Sequence, residues 1–293
     1  MIVLSEASSR LEPTPSAREL IAATETAKLA GCQVYYIPQD FDGLDDPADA
    51  LAHVPDQREQ AAAVWNGYIP LASHYSLVYQ LALAKGIRLL NSPDEHLRAQ
   101  EFDRAYERLR GLTPESIIVT DPVQCVEAVE HMGLPLFVKG VVQSRKARGW
   151  KACVADNLAD LELLVAAYLE LEGRTRGRVV LRKLVRLRHV ASTAQGFPIG
   201  REFRVFLYNA EPIGHGYYWD GEDPLMTLSK VEEDVVLSLA TEAARRLETP
   251  FVAVDIGQLD DGDWIVIECG DAQFSSVSRI PLLPLWHRIS QIG

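Results

Sequence analysis

Two acidic side chains near the C-terminal end of the chain sit where chemistry is easiest to imagine. Val252-Ala253-Val254-Asp255-Ile256 is apolar apart from Asp255, and the run Trp264 to Glu268 ends in a second carboxylate, with Asp271 three residues on. Asp260-Asp261-Gly262-Asp263 between them is a tight-turn signal, so the two runs read as a hairpin. A carboxylate in an otherwise buried strand needs a partner, and a hard cation is a common one. Opposed on neighbouring strands, such oxygens could clasp one or two Mg²⁺ ions that bridge nucleotide phosphates. The same pair could equally be satisfied by arginines in a structural network, and the hairpin alone leaves both readings open.

Basic residues supply the context. Leu136-Phe137-Val138-Lys139-Gly140 is an apolar strand ending in lysine, followed by the polar loop Gln143-Ser144-Arg145-Lys146-Ala147-Arg148-Gly149. A lysine at a strand end can reach a phosphate oxygen, and a polar loop with a glycine can fold over phosphates. Taken singly, such a lysine is more often a surface residue, and the loop lacks the glycine density of a Walker motif. Between Arg174 and Arg204 arginines recur within a strand pattern, which suits a site that neutralises phosphate more than a solvated face.

These residues need elements to hold them. Ile2-Val3-Leu4 is an apolar run followed by the loop Glu12-Pro13-Thr14-Pro15; Ser16 to Glu19 reads as a capping box opening a helix that ends near Gly31. Strands at Gln33–Ile37, Val64–Ile69 and Ile87–Leu90 alternate with a helix from Ser73 to Lys85, and Ser92-Pro93-Asp94-Glu95 caps another helix. The alternation predicts a small α/β lobe over residues 1–112 with a mainly parallel sheet. From 113 to 184 come strands at Ile117–Val119, Leu136–Lys139, near Lys151–Val154 and at Val179–Leu181. Helices are expected from Asp121-Pro122 to Gly133 and from Leu158 to Leu171. Residues 185–293 look antiparallel and α+β: Glu202–Leu207 and Pro212–Trp219 joined at Asn209-Ala210-Glu211, a helix from Val231 to Leu247, then the acidic hairpin.

Composition narrows the partners. The 293 residues carry 29 basic and 41 acidic side chains, a net charge of -12, which argues against nucleic acid. No apolar run approaches the roughly 20 residues that span a bilayer, and the N-terminus lacks the pattern of a signal peptide, so a cytoplasmic location is expected. Cys32, Cys125, Cys153 and Cys269 are far apart and form no CxxC pair, so reduced thiols are expected. His189 and His215 read as structural or surface groups. Trp65-Asn66-Gly67-Tyr68 and Tyr217-Tyr218-Trp219-Asp220 read first as core and secondarily as pocket lining.

In their order and spacing these segments resemble the ATP-grasp superfamily. The series is Leu136–Lys139, the loop 143–149, Val179–Leu184, Arg201-Glu202-Phe203-Arg204-Val205-Phe206, Val252–Asp255 and Ile267–Asp271. Arg182 stands where glutamate is more common, and with Arg204 and Lys139 it is similar to the clade named for two arginines and one lysine. The resemblance covers about residues 113–276 and implies an ATP-grasp fold preceded by a small parallel α/β lobe, with ATP and Mg²⁺ as cofactors. It further implies that Lys139 contacts the α- and β-phosphates, that Ser144 and Lys146 lie in a mobile loop above them, and that Lys183 and Leu184 hold adenine through their backbone. Arg182 would turn towards phosphate or the acidic cluster, Arg204 would steady the transferring γ-phosphate or the acyl-phosphate, and Asp255 and Glu268 would hold Mg²⁺. Gly270 occupies the family's usual asparagine position, and Asp271 is the residue that could replace that ligand.

The activity so implied is ligation of a carboxylate to an amine or similar nucleophile through an acyl-phosphate, releasing ADP and phosphate. The substrates would be a small carboxylic acid and an amine, an amino acid or peptide among them. No membrane partner is expected, and a homodimer is the commonest form if the chain associates. Two other readings stand beside it: a kinase-like phosphotransferase that releases its phosphorylated product, and an ATP-binding module without chemistry.

Overall fold

Strands with apolar residues on both faces need cover on both faces, and the two central N-terminal strands meet that condition. In the computed structural model, which describes residues 1–8, 14–41 and 43–293, β1 (Ile2–Ser5), α1 (Pro15–Leu29), β2 (Gln33–Tyr36), β3 (Ala61–Asn66), α2 (Ala72–Ala84) and β4 (Ile87–Leu89) follow in turn. The strands pair in parallel in the order β2-β1-β3-β4. Of the loop expected at Glu12 to Pro15, Glu12 and Pro13 lie outside the described residues. The capping box expected at Ser16 is not used. Thr14 caps α1 by accepting the Ala17 N–H at 3.1 Å, with Pro15 first in the helix, because proline's fixed φ suits that position. β3 begins three residues before Val64, since Ala61–Ala63 pair with Ile87–Leu89. At Ser92 the expected capping box is present and opens α3 (Pro93–Gln100), which runs on into α4 (Phe102–Leu109).

A second sheet contains β5 (Ser116–Val119), α5 (Cys125–Met132), β6 (Leu136–Gly140), β7 (Val154–Ala155), α6 (Leu158–Leu169), α7 (Glu172–Thr175) and β8 (Val179–Lys183). Its strands run antiparallel in the order β5-β8-β6-β7. Cys125, Ala128, Leu161, Val165 and Tyr168 bury one face of it. The strand expected around Lys151 shrinks to two residues because Trp150–Ala152 forms a helical turn.

The chain then makes a small ribbon from β9 (His189–Ser192) and β10 (Pro198–Gly200), which the sequence did not announce. Next come β11 (Glu202–Tyr208), β12 (Glu211–Tyr217), α8 (Lys230–Leu247), β13 (Phe251–Gln258), β14 (Trp264–Asp271) and α9 (Leu282–Ser290). The four strands form an antiparallel sheet, β12-β11-β13-β14. Asn209 and Ala210 turn the first hairpin with φ of 48° and 63°, the double positive φ of a type I′ turn.

Alternation splits this sheet into two faces. Phe203, Val205, Leu207, Val252, Val254, Ile256, Val266 and Cys269 pack under α8, α3 and α4. On the other face, Phe206, Phe251 and Ala253 meet Val3, Val64 and Trp286, while Glu202, Arg204, Asp255 and Glu268 continue the same rows beyond that cover. A bulge lies between Asp255 and Ile256: Asp255 pairs with Glu268 and Ile256 with Val266, leaving Ile267 as the extra residue. It brings Glu268 directly opposite Asp255.

Candidate active site

Lys139 at the end of β6 and Glu268 on β14 come from different sheets and meet in a short hydrogen-bonded ion pair. Only 2% of the lysine side chain is exposed, against 25% of the glutamate's. The lysine nitrogen also lies 5.4 Å from the centre of the Phe102 ring. Burial depresses the Lys139 pKa, with Glu268 opposing. Burial alone would raise Glu268, but Lys139, Lys146 and Arg182 outweigh it and hold the carboxyl below its ordinary value.

Across the register, Arg204 pairs with Asp255 and Asp255 with Glu268. The Arg204 fork donates to both Asp255 oxygens at 2.7 and 2.8 Å, and its third nitrogen donates to the Ser276 carbonyl at 2.8 Å. Tyr218 stacks under that guanidinium, 4.8 Å from ring centre to charge. Lys146 reaches in from the 143–149 loop. It stands 3.5 Å from Glu202 and over the rings of Tyr218 and Trp219 at 5.2 and 5.4 Å. Burial works against its charge, yet Glu202 and the Tyr218 hydroxyl prevail and raise its pKa. Glu202, held by the Trp219 indole N–H at 3.1 Å, is itself raised by burial.

Arg182 on β8 is buried and stacks on Phe102 at 4.2 Å. It donates to the Ile267 carbonyl at 2.6 Å and to the Ser116 hydroxyl at 3.3 Å. Its remaining terminal nitrogen, Nη2, has no hydrogen-bond partner among the described residues. Burial pushes its pKa down to about 10. A buried orphan donor beside other cations suits an anionic ligand.

Two cavities meet at this cluster. The smaller, about 120 Å³, is lined by Phe137, Lys139, Lys146, Arg182, Lys183, Leu184 and Ile267, among others. The larger, about 580 Å³, takes in Arg204, Asp255, Gly270, Tyr218 and the loop 275–277. Ser144 and Glu268 line both. Lys139, Ser144, Lys146, Arg182, Lys183, Leu184, Arg204, Asp255 and Glu268 are therefore gathered around one opening.

Asp271 is not among them. Its carboxylate is fully buried and bonds to His96 at 2.8 Å and to the Gln273 backbone and side chain at 3.0 and 3.2 Å. Three residues along a strand is an odd step, so Asp271 faces away from Glu268, and the expected third metal ligand becomes a structural anchor. Among the described residues no three His, Cys, Asp or Glu side chains are grouped to hold a metal. Asp255 and Glu268 still suit Mg²⁺, which uses one or two carboxylates when phosphates complete its shell. Arg204 occupies one lone-pair direction on each Asp255 oxygen, which leaves the others for a cation. His189 lines the smaller cavity, and His215 pairs with Glu233 at 3.4 Å. All four cysteines are buried and unpaired.

Sequence reading missed several participants. Phe102, the platform shared by Lys139 and Arg182, lay in a charged helical segment in which nothing local points to those two distant partners. Glu202 was visible beside Arg204, but as part of a motif and not as the partner of Lys146. Of Trp65-Asn66-Gly67-Tyr68, the last three line the larger cavity while Trp65 stays in the core. Tyr218 also lines it.

Two antiparallel sheets, one presenting lysine and arginine and the other arginine and paired carboxylates to an opening between them, define an ATP-grasp protein. The chain belongs to the ATP-grasp domain family that is the third of the clade named for two arginines and one lysine, and the family model matches residues 130–289. No curated protein matches it in sequence. Among solved structures, it is similar to the RimK domain protein ATP-grasp from Sphaerobacter thermophilus DSM 20745, with 16% identity, 100% of this chain and 99% of that one covered, and a TM-score of 0.65. D-alanyl-alanine synthetase A from Vibrio cholerae O1 biovar eltor str. N16961 shares 13% identity over 99% of this chain and 93% of its own, at a TM-score of 0.63. The ATP-grasp ligase PsnB, complexed with minimal precursor, shares 16% identity over 99% and 97%, at 0.59. At these identities the likeness is one of fold.

Proposed function

We propose that this protein is an ATP-dependent ligase that joins a small carboxylic acid to an amine or similar nucleophile. The observation that carries this reading is the convergence of Lys139, Lys146, Arg182 and Arg204 with Asp255 and Glu268 where the two cavities meet. A carboxylate and a triphosphate repel each other, so bringing them together requires clustered positive charge. In this reading residues 113–184 and 185–293 are the two jaws, and residues 1–112 supply the far wall of the acid's cavity.

The smaller cavity takes adenine against Lys183 and Leu184, and Lys139 and Lys146 neutralise the phosphates at its mouth. Arg182 offers its free Nη2 to the same phosphates. Arg204 stands at the γ-position, facing the larger cavity. A carboxylate oxygen of the acid attacks the γ-phosphorus, the bond to the bridging oxygen breaks and ADP leaves. The amine then attacks the acyl carbon, the carbon–nitrogen bond forms, phosphate departs and the amine loses a proton. Mg²⁺ held by Asp255 and Glu268 would neutralise charge on the phosphate oxygens. Lys146 and Ser144 in the loop keep water from an intermediate that water would destroy. Three of the structurally similar proteins are named as D-alanyl-alanine synthetase, D-cycloserine synthetase and an ATP-grasp ligase, which supports this class.

Mass analysis of products from ATP, Mg²⁺ and panels of acids and amines tests the proposal. A product joining one acid to one nucleophile with ADP and phosphate is expected. A released phosphorylated acid as the sole product would make the protein a phosphotransferase, and nucleotide binding without product across the panels would make it a binding module.

A further inference from the structure

The larger cavity has two walls of different charge. One is built by the jaws and contributes Arg174 and Arg204 together with the carboxylates Asp255 and Glu268. The other lies at the carboxyl edge of the parallel sheet, where ligands of such sheets collect. From α1 and the segment after β3 it presents Ser16, Glu19, Asn66, Gly67, Tyr68 and Ile69. Glu19 is the charged group on that wall among the described residues.

Glu19 is held as a receptor would be. One oxygen, Oε1, accepts from the Ser276 hydroxyl at 2.8 Å and from the Val277 N–H. The other has no hydrogen-bond partner among the described residues, although the side chain is half-buried. Asp255 differs, with both oxygens committed to Arg204. Ser276 also fixes the distance scale, because its carbonyl accepts from Arg204 at 2.8 Å. Glu19 and the Arg204 guanidinium are thus separated by two hydrogen bonds and a single serine, a span of about 10 Å at most. A partly enclosed carboxylate with a free oxygen is best satisfied by an ammonium, through a charge-assisted bond.

We infer that Glu19 binds the ammonium group of the acid substrate, so that the acid is a small α-amino acid whose carboxylate points to Arg204. The inference rests on the ligase reading for the identity of the cavity. An ammonium held by Glu19 remains protonated and is a handle, not the attacking amine. The attacking amine must arrive unprotonated from elsewhere, within the roughly 3–3.5 Å of the acyl carbon that reaction requires.

Calorimetry tests this on the full chain with Mg²⁺ and a non-hydrolysable ATP analogue. The probes are the common amino acids in both enantiomers and their 2-hydroxy-acid counterparts. At least one amino acid should bind, and its hydroxy counterpart at least tenfold more weakly. Glu19→Gln, which keeps an oxygen acceptor for Ser276 and Val277, should weaken that amino acid by about ten- to a hundredfold and abolish the preference for it over the hydroxy acid. The unfolding midpoint of the variant confirms that it is folded. Absence of binding by every amino acid, equal binding of the hydroxy acids, or a preference retained in Glu19→Gln overturns the inference. ADP formation in parallel mixtures, with ATP in place of the analogue and a panel of amines added, reads the ligase proposal separately. An amino acid that binds through Glu19 but yields no ADP sinks the ligase and spares this site, whereas turnover of hydroxy acids unaffected by Glu19→Gln does the reverse.

Discussion

The parallel sheet β1–β4 and the antiparallel sheet β11–β14 place their polar groups in opposite ways. In the first, the central strands β1 and β3 are covered on both sides and mostly apolar. Their polar residues gather where the strands end, at Ser5 and Glu6 at the end of β1 and Asn66 at the tip of β3, while the edge strands keep exposed Gln33 and Arg88. The second is covered on one side by α8, α3 and α4, while its other face is covered at the Phe206–Phe251 end. Arg204, Asp255 and Glu268 therefore stand within strands, with Glu202 in the same face at the start of β11. A sheet with one open face can hold charges at fixed cross-strand spacing, whereas a two-sided sheet offers them only from its edges. The compensation differs as well: Asp255 and Glu268 have cationic partners, whereas among the described residues Glu6 has the Trp65 and Tyr68 N–H donors at 2.9 and 3.0 Å and no cation.

Four measurements test how far that contrast holds. The largest effect should come from the open face. Lys139→Ala and Glu268→Gln are each expected to lower turnover about a thousandfold or more while the chain stays folded. ADP release by either variant near the native rate would remove that residue from the mechanism. Asp271→Ala, on the covered face of the same strand as Glu268, should instead reduce stability by about 3 kcal/mol, because His96 and Gln273 lose their buried acceptor. Denaturant titration reads this. Unchanged stability with at least a tenfold loss in Mg-nucleotide affinity would return Asp271 to the metal site. Arg204→Lys keeps the charge but not the two-pronged grip on Asp255, and turnover should fall about a hundredfold. A native rate would mean that charge alone suffices there.

The smallest effect concerns the edge of the parallel sheet. Burial raises the Glu6 carboxyl from 4.5 to about 7, against the hydrogen bonds from Tyr68 and Trp65. Between those values the native state holds a proton that the unfolded chain has lost, so this group's contribution to stability is present below about 4.5. It declines as pH rises to about 7 and stays lost above it, a change of about 3 kcal/mol at most. The difference between wild type and Glu6→Gln, followed by urea midpoints from pH 4.5 to 8, should show that slope. A flat difference would mean that Glu6 is as well compensated as Asp255.

Much of this arrangement could be read from residue patterns. The apolar run around Asp255 announced a buried carboxylate, the Asp-Asp-Gly-Asp turn announced its hairpin, and strand–helix alternation announced the parallel sheet. What escaped depended on three-dimensional phase or on distant packing. Asp271 was set beside Glu268 because the two are close in sequence, although an odd spacing on a strand already separates their faces. Phe102 and Glu19 carry no local signal, since their roles come from residues 37 or more positions away in sequence, Lys139 and Ser276. The ribbon β9–β10 was missed because its strands are only four and three residues long and β9 is exposed throughout, so neither shows a buried alternation.

Ile267 has an outsized consequence. Without this single additional residue on β14, Val266 and Cys269 could not both lie under α8 while Glu268 looks the other way. Deleting one position there would leave a strand in strict two-step rhythm, and either the hydrophobic lining or the acidic pair would have to give way. The insertion thus uncouples the two requirements, letting one stretch of backbone seal a helix on one side and present an acid to the cavity on the other.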